Sequence, residues 1–227
     1  MKTRDRILHT SLLLFNDEGE PNVTTVDIAN EMDISPGNLY YHFRGKDSII
    51  AELFDQFERS LGEVLETPID KPLQLEDNWF YLYVVFEEMY SYRFLYANLH
   101  DLLERYPRLK QRFRRLLLLK REAIHAVWTT LSRETVVTRA DPAEIDALVD
   151  NMVQQLNYWI TYDQLMNPGQ TPALSIHRGV YQLMSMLAPY LGKQQRDFYL
   201  RVRETYQRSI RSAANQRRGS AGRPTKK

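Results

Sequence analysis

Asn38, Tyr40, Tyr41 and His42 lie within five residues of one another. They share a short segment whose apolar positions, Leu39 and Phe43, recur at helical spacing. Amide, phenol and imidazole groups donate and accept hydrogen bonds, and three of these four side chains carry flat rings that stack. A helix made only for burial has no use for them on its outer face. The stretch before reads as another short helix. Thr24-x-x-Asp27 is a capping box with Val23 as the apolar staple ahead of it, and Ile28, Ala29 and Met32 are its buried positions. Asp33 occupies the turn and Ile34 plugs the core. Ser35 caps the second helix, and Pro36 takes its first position, where a missing N–H costs nothing. Gly45 ends it. Two short helices joined by a tight turn, the second polar and aromatic outside, are a common means of entering the DNA major groove.

Other chemistry is poorly supported. The chain has no cysteine, which excludes disulfides, thiolate metal sites and cysteine nucleophiles and points to reducing cytoplasm. Glu122-Ala-Ile-His125 has the Glu-x-x-His spacing of a di-iron bundle, but a second copy is required and none is found. Glu122 and His125 therefore read as surface and core residues. There is no Gly-x-Ser-x-Gly, phosphate loop or paired-aspartate metal motif. No catalytic residue, metal ligand or cofactor is assigned, and an enzyme is not expected. Lys2, Arg4 and Arg6 precede an apolar run, as in a signal peptide. However, His9, Thr10 and Ser11 interrupt that run, and Asp17, Glu18 and Glu20 follow it, so a helix of the mature protein is expected. Leu116 to Leu119 is flanked by Arg114, Arg115, Lys120 and Arg121, so no membrane span is predicted.

The elements that must position these residues read as an all-α protein. The chain has 227 residues, 43% of them hydrophobic, with only 9 Gly and 10 Pro and no run of alternating β-branched residues. Helix 1 is expected over Thr3–Asp17, with Gly19 as its stop. A long fourth helix opens at Lys46-Asp47 and carries Ile49, Ile50, Leu53, Phe54, Phe57, Leu61 and Val64. Two prolines mark Thr67 to Pro72 as a linker. Further helices are predicted near 75–91, 94–105, 107–133, 141–166, 172–191 and 194–213. From Ala213 the composition predicts a disordered basic tail. The division is a helix-turn-helix domain over 1–47, a connecting helix over 46–66, a ligand-binding and dimerisation domain over 48–212, and the tail over 213–227. Charge is uneven. Residues 1–60 hold 6 Lys/Arg and 11 Asp/Glu, a balance of −5, and residues 201–227 hold 9 Lys/Arg and one Glu, a balance of +8. The first balance counts against phosphate contact. Between Ser35 and Lys46, though, there are two cations and no acid, and the acids are expected to face away from DNA.

The run Thr25-Val26-Asp27-Ile28-Ala29, then Ile34-Ser35-Pro36-Gly37-Asn38-Leu39-Tyr40-Tyr41-His42-Phe43, then Lys46-Asp47 and Ile50 resembles the TetR family of transcriptional regulators. The resemblance covers roughly residues 5 to 55. It departs at Asp33, where the family usually has Gly at a position expected to be left-handed, a conformation Asp tolerates better than most residues. Tyr92-Arg93-Phe94, the Leu-rich stretch and Pro107 are similar to a subgroup that includes regulators of polyhydroxyalkanoate synthesis. The resemblance implies that Thr25 donates to a phosphate and that Pro36, Gly37 and Asn38 approach base edges, Asn38 being able to pair with adenine. It implies that Tyr40 and Tyr41 meet sugars, a thymine methyl or phosphate, and that His42 and Lys46 hold phosphates. The alternatives are tyrosines packed on a neighbouring helix, a helix C-cap for His42 and a solvated Lys46.

Nine aromatic residues lie between Trp79 and Tyr96. They are either core and interface or a mostly apolar ligand cavity lined by Trp79, Tyr83, Phe86, Tyr90, Phe94 and Trp128. The resemblance favours a small-molecule effector, apolar or acyl. A coenzyme A thioester would need cations, which Arg93, Arg105, Arg108 and Arg112 could supply. Leu148, Met152, Leu156 and Trp159 on one long helix, with Val180, Leu183, Met184 and Leu187 on another, predict a four-helix homodimer interface, unless they bury against their own chain. The expected partners are thus double-stranded DNA, a second copy and an effector, with repression as the family habit. The fourth helix would act as the lever between them. A helical dimer that binds a ligand or protein and has no DNA role stays open, because of the acidic N-terminal balance.

Overall fold

In the computed structural model, residues 2–66, 75–138, 140–193, 195–204 and 206–208 are described. The expected linker at Thr67 to Pro72 and the tail from Ala213 lie outside them. The helices are α1 (Thr3–Leu14), α2 (Thr25–Glu31), α3 (Pro36–His42), α4 (Lys46–Leu65), α5 (Leu75–Ser91), α6 (Phe94–Ala97), α7 (Leu99–Arg105), α8 (Pro107–Arg133), α9 (Pro142–Met166) and α10 (Pro172–Leu187). The only β contact among the described residues is the isolated pairing of Val137 with Leu191. The class is all-α. The chain forms two compact units, residues 1–68 with 87–123 and residues 69–86 with 124–227.

In the first unit α1 widens into a π-helical turn, Phe15–Gly19, which ends at Gly19 with φ +85°. A single 3-10 turn, Glu20–Asn22, leads to α2. The spine of the unit is α4, whose Ile49, Ile50, Leu53, Phe54, Phe57 and Leu61 are fully buried. This is the apolar stripe that its periodicity predicts. Phe57 packs on Tyr92 and Tyr96 with ring centroids 5.2 and 6.0 Å away, Phe54 meets Phe113 at 6.5 Å, and Phe15 meets Phe94 at 5.4 Å. Arg112 pairs with Asp55 at 2.6 Å and with Glu58, fastening α8 to α4. One helix was expected over 94–105. It is broken at Asn98, whose backbone leaves the helical region (φ −135°, ψ 50°). Lys120 of α8 is fully buried. Its Nζ donates to Tyr96 Oη at 3.0 Å and lies over the rings of Tyr96 and Phe113. Burial disfavours the charged amine and lowers its pKa to about 7.

In the second unit α9 packs along α10. Each starts at a proline after a capping side chain, Asp141 accepting from Ala143 N at 2.8 Å and Thr171 from Leu174 N at 3.4 Å. Leu148, Met152, Leu156, Trp159, Val180, Leu183, Met184 and Leu187 are all buried within the single chain. All eight take part in the α9–α10 core of the single chain, the alternative to an interface that the sequence left open. A Cβ at Gly179 would stand 2.3 Å from Phe86 and 2.9 Å from Trp159, so only glycine lets α10 approach those rings. A buried polar knot adds to the core, with Asp163 accepting from Arg178 at 2.8 Å and from Ser175 at 2.6 Å.

Candidate nucleic-acid interface

Local caps set the geometry of α2 and α3. Thr24 Oγ1 accepts from Asp27 N at 3.2 Å, and Asp27 Oδ2 accepts from Thr24 N at 2.8 Å and from its hydroxyl at 2.6 Å. Those bonds, first the hydroxyl and then the backbone N–H, hold the Asp27 carboxyl below its usual range. Asp33 adopts φ +53° in the turn, and Ile34 N reaches back to Ala29 O at 3.0 Å. Ser35 Oγ accepts from Asn38 N at 3.2 Å and starts α3.

The core face of α3 is Leu39, with Phe43 just beyond its end, 1% and 3% exposed. Arg4 lies 4.8 Å over the Phe43 ring while paired to Glu52. The other face is open. Pro36, Gly37 and Asn38 are exposed, Tyr40 is 62% exposed and Tyr41 85%. His42 is half-buried, its ring edge-on to Tyr41 at 5.2 Å. Thr25 is half-buried at the first position of α2. The tyrosines are therefore not packing material, and seven of the eight candidate DNA-contacting residues gather on α2 and the outer side of α3.

Lys46 is placed differently. Its Nζ donates to Glu20 O at 2.7 Å and Val23 O at 2.9 Å, and stands 2.9 Å from Glu20 Oε1. An ammonium has three hydrogens, and these three acceptors take them all. Lys46 is neither a solvated lysine nor a free cation for phosphate; it ties the start of α4 to the segment before α2. Glu20, 2% exposed, also accepts two bonds from Arg105 at 3.1 and 2.5 Å and one from Tyr106 Oη at 3.1 Å. Burial pushes the Glu20 carboxyl up, but the bonds from Arg105 and Lys46 outweigh it and hold it below 4.5. Tyr106 is raised by burial and by the Glu20 charge.

The cation that remains beside α3 is Arg44, exposed two residues past its end and with no ion pair among the described residues. It was visible in the sequence as the other cation between Ser35 and Lys46. The acidic balance also acquires an explanation. Asp17, Glu20, Glu52, Asp55 and Glu58 are neutralised by Arg93, Lys46, Arg105, Arg4 and Arg112 within the unit.

The six aromatic pocket candidates are divided. Tyr90 and Phe94 belong to the first unit, and Trp79, Tyr83, Phe86 and Trp128 to the second. Most already have ring partners: Phe94 on Phe15, Tyr83 on His177 at 5.0 Å, Phe86 on Trp159 at 4.8 Å and Trp128 on Tyr190 at 5.1 Å. Glu122 and His125 are both exposed on α8. No helix among the described residues is long and apolar enough to cross a membrane.

Residues 7–53 match the model of bacterial regulatory proteins of the tetR family, and residues 56–199 match that of its bacterial transcriptional repressors. A crystal structure of a TetR-family transcriptional regulator from Marinobacter aquaeolei is 38% identical, covers 91% of this chain and 99% of its own, and superposes with a TM-score of 0.83. The biofilm operon icaADBC HTH-type negative transcriptional regulator IcaR of Staphylococcus aureus is 29% identical over 110 residues, 47% of this chain. The HTH-type transcriptional regulator AcrR of Shigella flexneri is 30% identical over 63 residues, 28% of this chain. The matches span only 50% and 29% of those two relatives.

Proposed function

Because the chain belongs to the TetR family of bacterial transcriptional regulators, we propose that it is a repressor that binds a near-palindromic operator as a dimer and lets go when a small apolar or acyl-type effector binds. The observation that carries this reading is the outer face of α3, where Asn38, Tyr40 and Tyr41 stand in solvent over a core of Leu39 and Phe43. Asn38 pairs with adenine, flanked by Pro36 and Gly37 close to base edges. Tyr40, Tyr41, His42 and Thr25 hold the sugar-phosphate backbone, with Arg44 as the nearby free cation. A twofold dimer would present two such helices to successive major grooves, hence a near-palindromic operator.

For the dimer, the outward side chains of α9 are the better surface. Tyr158, Tyr162, Leu165 and Met166 are 59%, 45%, 72% and 62% exposed. An open groove of about 330 Å³ beside them has Trp159 among its walls, with Gln155, Gln182 and Met186. An apolar effector suits the aromatic candidates, of which Trp79, Tyr83, Phe86 and Trp128 share the second unit. Release requires that the effector bind the DNA-free state more tightly, and α4, which begins just after α3, is the lever that would move the reading head.

A gel-shift with the DNA upstream of the chain's own gene tests the proposal. Specific, salt-sensitive retention is expected, and Asn38→Ala should lower specific affinity by about 10- to 100-fold while leaving non-specific binding in place. Retention no stronger than for random DNA would overturn it.

A further inference from the structure

The start of α4 and the corner between α7 and α8 border a half-open cavity of about 540 Å³ within the first unit. Its apolar wall includes Ile50, Ala51 and Leu109. Its cations are Arg105 and Arg108. We propose that this cavity binds a small amphipathic carboxylate, its head between Arg105 and Arg108 and its tail along Ile50, Ala51 and Leu109. The volume lies in the range of small-molecule sites.

Arg108 argues for an anionic head: it is exposed and forms no ion pair among the described residues. Behind it Glu20 faces both Lys46 and Arg105, and the other acids nearby are Asp47 on the opposite wall and Asp101, whose charge also acts on Arg105. A carboxylate with an apolar tail answers Arg108 and the apolar wall together, whereas inorganic phosphate leaves the wall bare and a neutral lipid leaves Arg108 unanswered. Arg93 and Arg112, the other arginines of this stretch, are already held by Asp17 and by Asp55 and Glu58. Geometry agrees: Arg105 gives Glu20 two of its five N–H donors and its side chain is 39% exposed, so it can share a second carboxylate. A ligand there would draw Arg105 from Glu20, whose backbone carbonyl and carboxylate also hold Lys46 at the start of α4. Binding at this site does not rest on the regulator reading, and its test uses no DNA.

Calorimetric titration of the full chain with octanoate, octanol and inorganic phosphate decides the matter. Octanoate is expected to bind once per chain, octanol at least about 10-fold more weakly, and phosphate without saturation. Arg108→Gln should weaken octanoate by about 10-fold with no change in melting temperature, because Arg108 holds nothing in the folded chain. Ala51→Phe, at an exposed position of α4 on the cavity wall, should abolish it by filling the space. No octanoate binding, equal affinity for octanol, or full affinity in Arg108→Gln would each overturn the proposal.

Discussion

Two lysines show how far a side chain's surroundings decide its role. Lys46 sits in the stretch that resembles the family motif, but its ammonium is saturated by two carbonyls and a buried carboxylate. Replacing it with methionine should leave the salt dependence of operator binding unchanged. It should also destabilise the fold by roughly 1–3 kcal/mol, because the Glu20 acceptors lose a donor. Arg44→Ala should do the reverse, lowering the slope of log affinity against log salt by about 1 with little change in stability. Gel-shifts across a salt series read both, and a reduced slope in Lys46→Met would return that residue to the phosphate contacts. Lys120 is the second case. Its folded pKa, about 7, lies below its ordinary 10.5, so between these values the unfolded chain holds the extra proton and stability rises with pH. Below pH 7 both states are protonated and the term is constant. Burial raises several tyrosines, Tyr96 among them, which reverses the trend above about pH 10. Urea melts from pH 7 to 9 should therefore show stability climbing by up to about 1.4 kcal/mol per unit, and Lys120→Met should remove the climb. An equal rise in the variant would assign it to another group.

At the scale of elements, what could be read from sequence was what local chemistry controls. The starts of α2 and α3 follow from Thr24, Asp27 and Ser35, whose capping bonds span three residues, and from Pro36 at the first position of α3. The left-handed turn at Asp33 was likewise a local matter. The break at Asn98 was hidden because the apolar spacing runs on through Leu95, Leu99 and Leu102, and an asparagine inside such a pattern does not by itself stop a helix. Periodicity identified a buried stripe on α9 and on α10, yet the same stripe serves an interface or a core. Gly179, which lets the two helices close over Phe86 and Trp159, was not singled out at all. The partners of Lys46 lie 26 and 23 residues back, and no spacing rule reaches across such a tertiary contact. The outer face of α3 was legible for the opposite reason, since exposed tyrosines on a helix already filled by Leu39 and Phe43 have nowhere else to point.

At the scale of the whole molecule, the proposed operator binding needs more than one chain, because each chain has one α3 and a single recognition helix covers too few base pairs for a specific operator. On that proposal the second α3 comes from a second copy. Residues 158, 162, 165 and 166 follow the i, i+4, i+7, i+8 spacing of one helical stripe, and all four are large, apolar and exposed. Such a patch marks an interaction surface, and a self-complementary one closes into a twofold dimer. Tyr162→Glu with Leu165→Glu would set four carboxylates against one another across that axis. Both positions are solvent-facing in the single chain, so the helical melt of the monomer should be unchanged. Sedimentation should shift from dimer to monomer, and operator affinity should drop on the order of 100-fold or more as the two half-sites lose their linkage. A doubly substituted chain that still sediments as a dimer would place the interface elsewhere, while a monomer that keeps full operator affinity would remove the need for two heads.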